Sequence, residues 1–116
     1  MLKVFAYLVK RNDLQTKDFI DYYENNHVPL IRSLAPTPPV YKRHYVVRGD
    51  AFNVGEGSLD FDVVTEVGFA DRGAFEAWIT AVSAGPAGER VAADEARFLD
   101  RSRTRTCVIE EHVTDG

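Results

Sequence analysis

Apolar positions recur along the chain with two periods, and each change of period marks an element. From Lys3 to Lys10 (KVFAYLVK) side chains alternate: Val4, Ala6 and Leu8 point one way, Phe5, Tyr7 and Val9 the other. Both sets are apolar, which predicts a strand covered on both faces and central in its sheet. Asn12-Asp13 signals a turn. From Phe19 to Leu34 (FIDYYENNHVPLIRSL) the period lengthens. Phe19, Ile20, Tyr23, His27, Leu30, Ile31 and Leu34 fall on one side of a helix, with Thr16 placed as its N-cap. Pro29 interrupts this helix. It has no N–H for the carbonyl of Asn25, its ring collides with that carbonyl, and it disfavours helical angles at Val28. A kink or break over Asn25 to Val28 is predicted, with Pro29 opening a second helical turn. Pro36, Pro38 and Pro39 end the helix.

Val40 to Arg48 reads as a second strand, with Val40, Lys42, His44, Val46 and Arg48 on one face and Tyr41, Arg43, Tyr45 and Val47 on the other. Its charges suit a sheet edge. Gly49 to Leu59 is a loop, either a plain connection or a lid carrying Phe52. Asp60 to Phe69 is a third strand with Phe61, Val63, Thr65, Val67 and Phe69 on one face. Asp71 caps a helix whose inward positions are Phe75, Trp78, Ile79 and Val82. Gly85-Pro86 breaks it, Pro86 to Leu99 forms another, and Arg103 to Val113 is the last strand.

The order strand, helix, strand, strand, helices, strand is the split βαβ arrangement of an α+β, ferredoxin-like fold with a four-stranded antiparallel sheet. Residues 1–116 form one domain. Such a sheet carries its helices on one face. The other face, lined by one apolar set of the first strand, is too apolar for water, which predicts a homodimer through the sheet face.

Charge and composition narrow the partners. The net charge of −4 gives no excess of Lys and Arg for phosphate, so no nucleic acid is expected. The single cysteine, Cys107, excludes an internal disulfide. No apolar run of about 20 residues predicts a membrane span, and the N-terminus has no signal-peptide layout; a cytoplasmic protein without a membrane partner is expected.

His27 is the main chemical candidate. It lies on the apolar side of an interrupted helix, one turn after Tyr23, so a group that titrates near neutral pH is aimed inward. It serves equally well there as a hydrogen-bonded core or capping residue. Tyr23 shares its face and can orient a carbonyl or enolate oxygen, or simply fill the core. His44, with Tyr41 and Tyr45 beside it, has a weaker claim. Asp94 and Glu95 read as capping or salt-bridging residues. Arg101, Arg103 and Arg105 form either a solvated face or an anion clamp. No short His, Cys or Glu spacing suggests a metal, and no glycine-rich fingerprint suggests a nucleotide cofactor, so neither is expected. Cys107, mid-strand, is an unpromising nucleophile.

The opening KVFAYLVKRNDLQTKDFIDYYENNHVPLIRSL and the closing VAADEARFLDRSRTRTCVIEEH resemble the EthD family of dimeric α+β barrel proteins. The likeness lies in the Lys10-Arg11 turn, the aromatic-rich helix, the His-x-Pro-Leu of His27 to Leu30, and an Asp-Glu-x-x-Phe-x-Asp ending at Asp94 to Asp100. It implies a ferredoxin-like subunit dimerised through its sheets, with a pocket between sheet and helices. EthD proteins occur beside ether-degradation enzymes and among polyketide tailoring proteins. The wider superfamily includes cofactor-free oxygenases, isomerases, cyclases, decarboxylases and dehydratases.

Three functions follow as expectations. The first is a cofactor-free enzyme acting on a small apolar, oxygenated molecule, aromatic or polyketide-like, by acid–base or oxygenase-type chemistry at His27. The second is an accessory protein that holds a hydrophobic intermediate for a partner oxygenase. The third is a dimeric structural module in which His27 caps the kink. The candidate site comprises His27 and Tyr23 for catalysis and Tyr7, His44, Phe61, Trp78 and Phe98 for substrate binding.

Overall fold

The computed structural model describes residues 1–116. Strands β1 (Leu2–Leu8), β2 (Val40–Tyr45), β3 (Val63–Phe69) and β4 (Arg105–Ile109) form one antiparallel sheet in the order β2-β3-β1-β4. The centre is β1 and β3; the charged strands are the edges, where polar side chains also discourage further pairing. Helices α1 (Thr16–Tyr22), α2 (Val28–Leu34), α3 (Arg72–Ser83) and α4 (Gly85–Glu95) cover one face. This is the ferredoxin-like α+β arrangement.

Register decides which alternating set meets the helices. Val4, Ala6 and Leu8 of β1 do so, with Val63, Thr65, Val67 and Phe69 of β3 and Tyr41 and Tyr45 of β2. Phe19 and Phe98, without exposed surface, join Leu8, Tyr23, Val28, Val63 and Leu99 in the largest apolar cluster. Phe5, Tyr7, Val64 and Glu66 face the other way, where no helix lies.

Several elements are shorter than the pattern predicts. Strand β4 stops at Ile109 because its partner β1 runs out: Ile109 stands opposite Lys3. Strand β3 starts only at Val63. The Asp62 carboxylate accepts the Lys10 N–H (2.9 Å) and bends the chain there, so Phe61 leaves the face of Val63 and stacks edge-on against Tyr7 on the opposite side of the sheet. Helix α4 ends at Glu95; Phe98 and Leu99 follow in a tight turn and are buried from there. Thr16 is not the N-cap. The extended residue is Gln15, so Thr16 already lies inside the first turn. Asp71 does cap α3, accepting from the Ala74 N–H at 2.8 Å. Phe52 is 95% exposed on its loop and is no lid over the interior.

The break before Pro29 is a wide turn rather than a kink. Residues Tyr23–His27 wind as a π-helix, and the Val28 N–H reaches back five residues to the Tyr23 carbonyl. The expected departure of Val28 from helical angles does not occur: φ is −59° and ψ is −47°. An i→i+5 turn spreads the preceding carbonyls, so the ring of Pro29 enters the first turn of α2 without forcing its neighbour out.

Candidate functional site

A cavity of ≈ 300 Å³ lies between the sheet and the helices. Its floor is made low by small side chains. Ala6 sits on β1 between Thr65 of β3 and Thr106 of β4, directly opposite it on each side. Around this trough stand Val4, Val67, Tyr41, Phe75, Trp78 and Val82, which make the walls apolar. Tyr23 and His27 enter from the wide turn, and Glu95 closes in from the end of α4. The threonines at Thr104 and Thr106 are exposed along the β4 edge. Glu95 is tied on its outer side to Arg101, at 3.3 Å.

His27 is 6% exposed. Its Nδ1 donates to Asp94 Oδ2 at 2.9 Å, which fixes the proton on Nδ1 while Asp94 is ionised. Asp94 also accepts from the Tyr22 hydroxyl at 2.6 Å through its other oxygen. The ring rests against Phe98, with centroids 5.0 Å apart, and edge-on to Tyr23 at 5.5 Å. Nε2 has no partner in the chain, and the ring lines the cavity. An imidazole with one nitrogen held by a carboxylate and the other carrying a lone pair can accept a proton at the open nitrogen.

Tyr23 is 2% exposed, and its hydroxyl shares a hydrogen bond with Thr65 Oγ1 at 2.6 Å. Burial pushes its phenol far above the ordinary range, so it stays neutral and able to donate. Burial also raises Tyr41, to about 12. Behind this wall Arg43 clamps Glu24 with two hydrogen bonds, of 2.9 and 2.7 Å, and holds its carboxyl below the usual range.

Among the residues singled out in the sequence, His27, Tyr23 and Trp78 meet in the cavity. Phe98 backs the His27 ring and is fully buried, so it offers no surface to a ligand. Tyr7, Phe61 and His44 belong to the opposite face of the sheet: the first two stack at 5.1 Å, and His44 Nε2 bonds Glu66 Oε1 at 3.0 Å. Lys3 binds the same Glu66 at 2.8 Å, and hydrogen bonding from Lys3 holds that carboxyl low. Asp94 reads in the sequence as a capping or salt-bridging residue, but its pairing with His27 is not legible there, because no local spacing links residues 67 apart. Ala6, Thr65 and Thr106 escaped because small residues on strands carry no chemical signature. No group of three or more His, Cys, Asp or Glu side chains is gathered in a way that would hold a metal. No helix is long and apolar enough to cross a membrane.

A helix-covered antiparallel sheet, hollowed over Ala6 and bordered by an inward His–Asp pair, defines a small ferredoxin-like protein with an apolar cavity. The EthD domain model matches residues 11–102, and the chain belongs to that family. An EthD family protein of Bacillus halodurans has the same fold, with a TM-score of 0.65 and 19% identity over 97% of this chain and 100% of that one. So does the protein At3g17210 of Arabidopsis thaliana, with a TM-score of 0.64 and 11% identity over 99% of each chain. A dimeric protein of ferredoxin-like fold from Bacteroides fragilis follows with a TM-score of 0.58 and 12% identity over 95% of each chain. No curated protein matches the sequence.

Proposed function

We propose that this EthD protein is a cofactor-free enzyme that moves a proton on a small, apolar, oxygenated organic molecule held in the cavity over Ala6. One observation carries this: His27 presents an unpartnered Nε2 to an apolar cavity while Asp94 holds its Nδ1–H. Nε2 takes a proton from an activated C–H or O–H of the substrate. Negative charge then develops on a substrate oxygen, and the neutral Tyr23 hydroxyl stands one turn away to receive it. Trp78, Tyr41 and Phe75 supply flat apolar walls for a ring system. The reaction class that fits is isomerisation, dehydration or decarboxylation of an aromatic or polyketide-like compound, or its oxygenation with dioxygen as the oxidant.

The cavity is read as part of a homodimer. The helix-free face of the sheet carries Phe5, Tyr7, Phe61 and Val64 around the hydrogen-bonded Lys3–Glu66–His44 group, an apolar surface with a polar centre. The dimeric state of the Bacteroides fragilis neighbour supports the same assembly.

A thermal-shift screen of wild type and His27→Ala against phenols, quinones, anthrones and lactones tests the cavity reading. A ligand at about 100 times its Kd adds roughly 2.7 kcal/mol, several degrees in Tm. Shifts in wild type that shrink or vanish in a folded His27→Ala protein are expected. No shift from any member of the panel overturns the reading.

A further inference from the structure

Tyr22 has no place in the cavity, yet it touches the site. Its hydroxyl donates to Asp94 Oδ1 at 2.6 Å while His27 Nδ1 donates to Oδ2 at 2.9 Å, so both oxygens of one carboxylate are taken by residues of the same helical segment. In a regular α-helix this could not happen easily. Residues five apart point about 140° away from each other at 3.6 residues per turn. The turn Tyr23–His27 closes with an i→i+5 bond and brings residues five apart towards one side. Tyr22 and His27 therefore converge on Asp94, which reaches them from α4.

We propose that Tyr22 is a positioning residue for the His27 site: it locks the Asp94 carboxylate, which keeps the imidazole proton on Nδ1 and leaves Nε2 open to the cavity. This rests on the reading of His27 as the base. Asp94 needs a second anchor because it stands at the surface of the molecule. It borders an outer cleft with Asn26, Arg90 and Arg97, and its side chain is 15% exposed. Arg97 approaches Tyr22 from this cleft. Without the Tyr22 hydroxyl the carboxylate is free to rotate outwards toward Arg90, Arg97 and water. The groups facing Asp94 are thus His27 from the wide turn, Tyr22 from α1, and Arg90 and Arg97 from its own side.

Imidazole 15N spectra at pH 8 test this without a substrate. The chain has three histidines, so the His27 signals are assigned by their loss in His27→Gln. Wild type is expected to hold His27 in the Nδ1–H tautomer, with an Nδ1 proton slow to exchange with water. Tyr22→Phe, which removes one oxygen, should raise the Nε2–H fraction several-fold and speed that exchange at least tenfold. Asp94→Asn should do the same, and it keeps the question open to test if Tyr22→Phe fails to fold. A wild-type ring in the Nε2–H form, or a Tyr22→Phe ring indistinguishable from wild type, overturns the role of Tyr22. A folded Asp94→Asn protein with unchanged His27 signals does so independently. None of these outcomes bears on ligand binding, so a failed ligand screen with a correctly held ring would instead count against the catalytic reading.

Discussion

One ring nitrogen of His27 is committed to Asp94 and the other meets an apolar cavity, and each neighbour of the ring has a separable task. Tyr23→Phe leaves Thr65 Oγ1 buried without its partner. This should cost about 1–2 kcal/mol, read as a lower urea midpoint with an unchanged m-value. Phe98→Ala removes a fully buried ring that backs His27 and should cost about 3–5 kcal/mol. Glu24 sets a pH dependence. Its bonds to Arg43 hold its folded pKa below the ordinary glutamate value of 4.5, so the stability it supplies is fully present above that value and lost as the pH falls through the folded pKa. Glu24→Gln should therefore be less stable than wild type at pH 7, and the gap should close in acid; urea midpoints measured from pH 7 down to pH 3 check it. A gap constant across that range would assign the loss to something other than the ion pair. His27 was legible in the sequence because its own helix announces it: an inward position, a tyrosine one turn before, a proline two residues after. Asp94 was legible as a salt-bridging residue, but not as the partner of His27, because a hydrogen bond across 67 residues leaves no trace in local spacing.

Elements followed the pattern where one period ruled and departed from it where a single polar contact intervened. Strand β1 emerges central as its two apolar faces predict, with β3 beside it in the middle of the sheet. Phe61 does not, since the Asp62 carboxylate bonding the Lys10 N–H bends the chain, and alternation cannot be counted through a bend. Pro29 announces an irregularity but not its kind; that the chain widens rather than kinks depends on which backbone carbonyls find donors. The α3–α4 corner offers a direct check on backbone geometry. Gly85 has φ of +59° and open space around it, so Gly85→Ala should cost about 1–2 kcal/mol from conformation alone. Gly88 has no such angle, but a Cβ there would run into the Ser83 carbonyl, so Gly88→Ala must move backbone and should be the more damaging of the two. Thermal denaturation of the pair checks the order.

At the level of the whole molecule, one sheet serves two surfaces. Its helix side is hollowed by Ala6, Thr65 and Thr106 into a cavity, and its free side gathers aromatic residues around Glu66. The alternation of β1 implied two covered faces; which set meets which surface is a matter of register and came only with the fold. If the free side is a two-fold interface, Val64→Lys should convert a species of twice the chain mass into monomer in light scattering, and the cavity should survive. Trp78 is the only tryptophan and lines the cavity, so its fluorescence should respond to any ligand bound there, in dimer or monomer.

Proton transfer at Nε2 of His27 is most directly tested by deuterium exchange. An anthrone or lactone that raises the Tm is incubated in D2O with wild type, His27→Ala and Asp94→Asn, and deuterium at its activated C–H is followed by mass spectrometry. Wild type should accelerate exchange over buffer by about 100-fold or more, in line with general-base catalysis. Asp94→Asn should retain only part of that acceleration, and His27→Ala should fall to the buffer rate. Exchange no faster than buffer with a bound ligand, or undiminished in His27→Ala, would contradict His27 as the base.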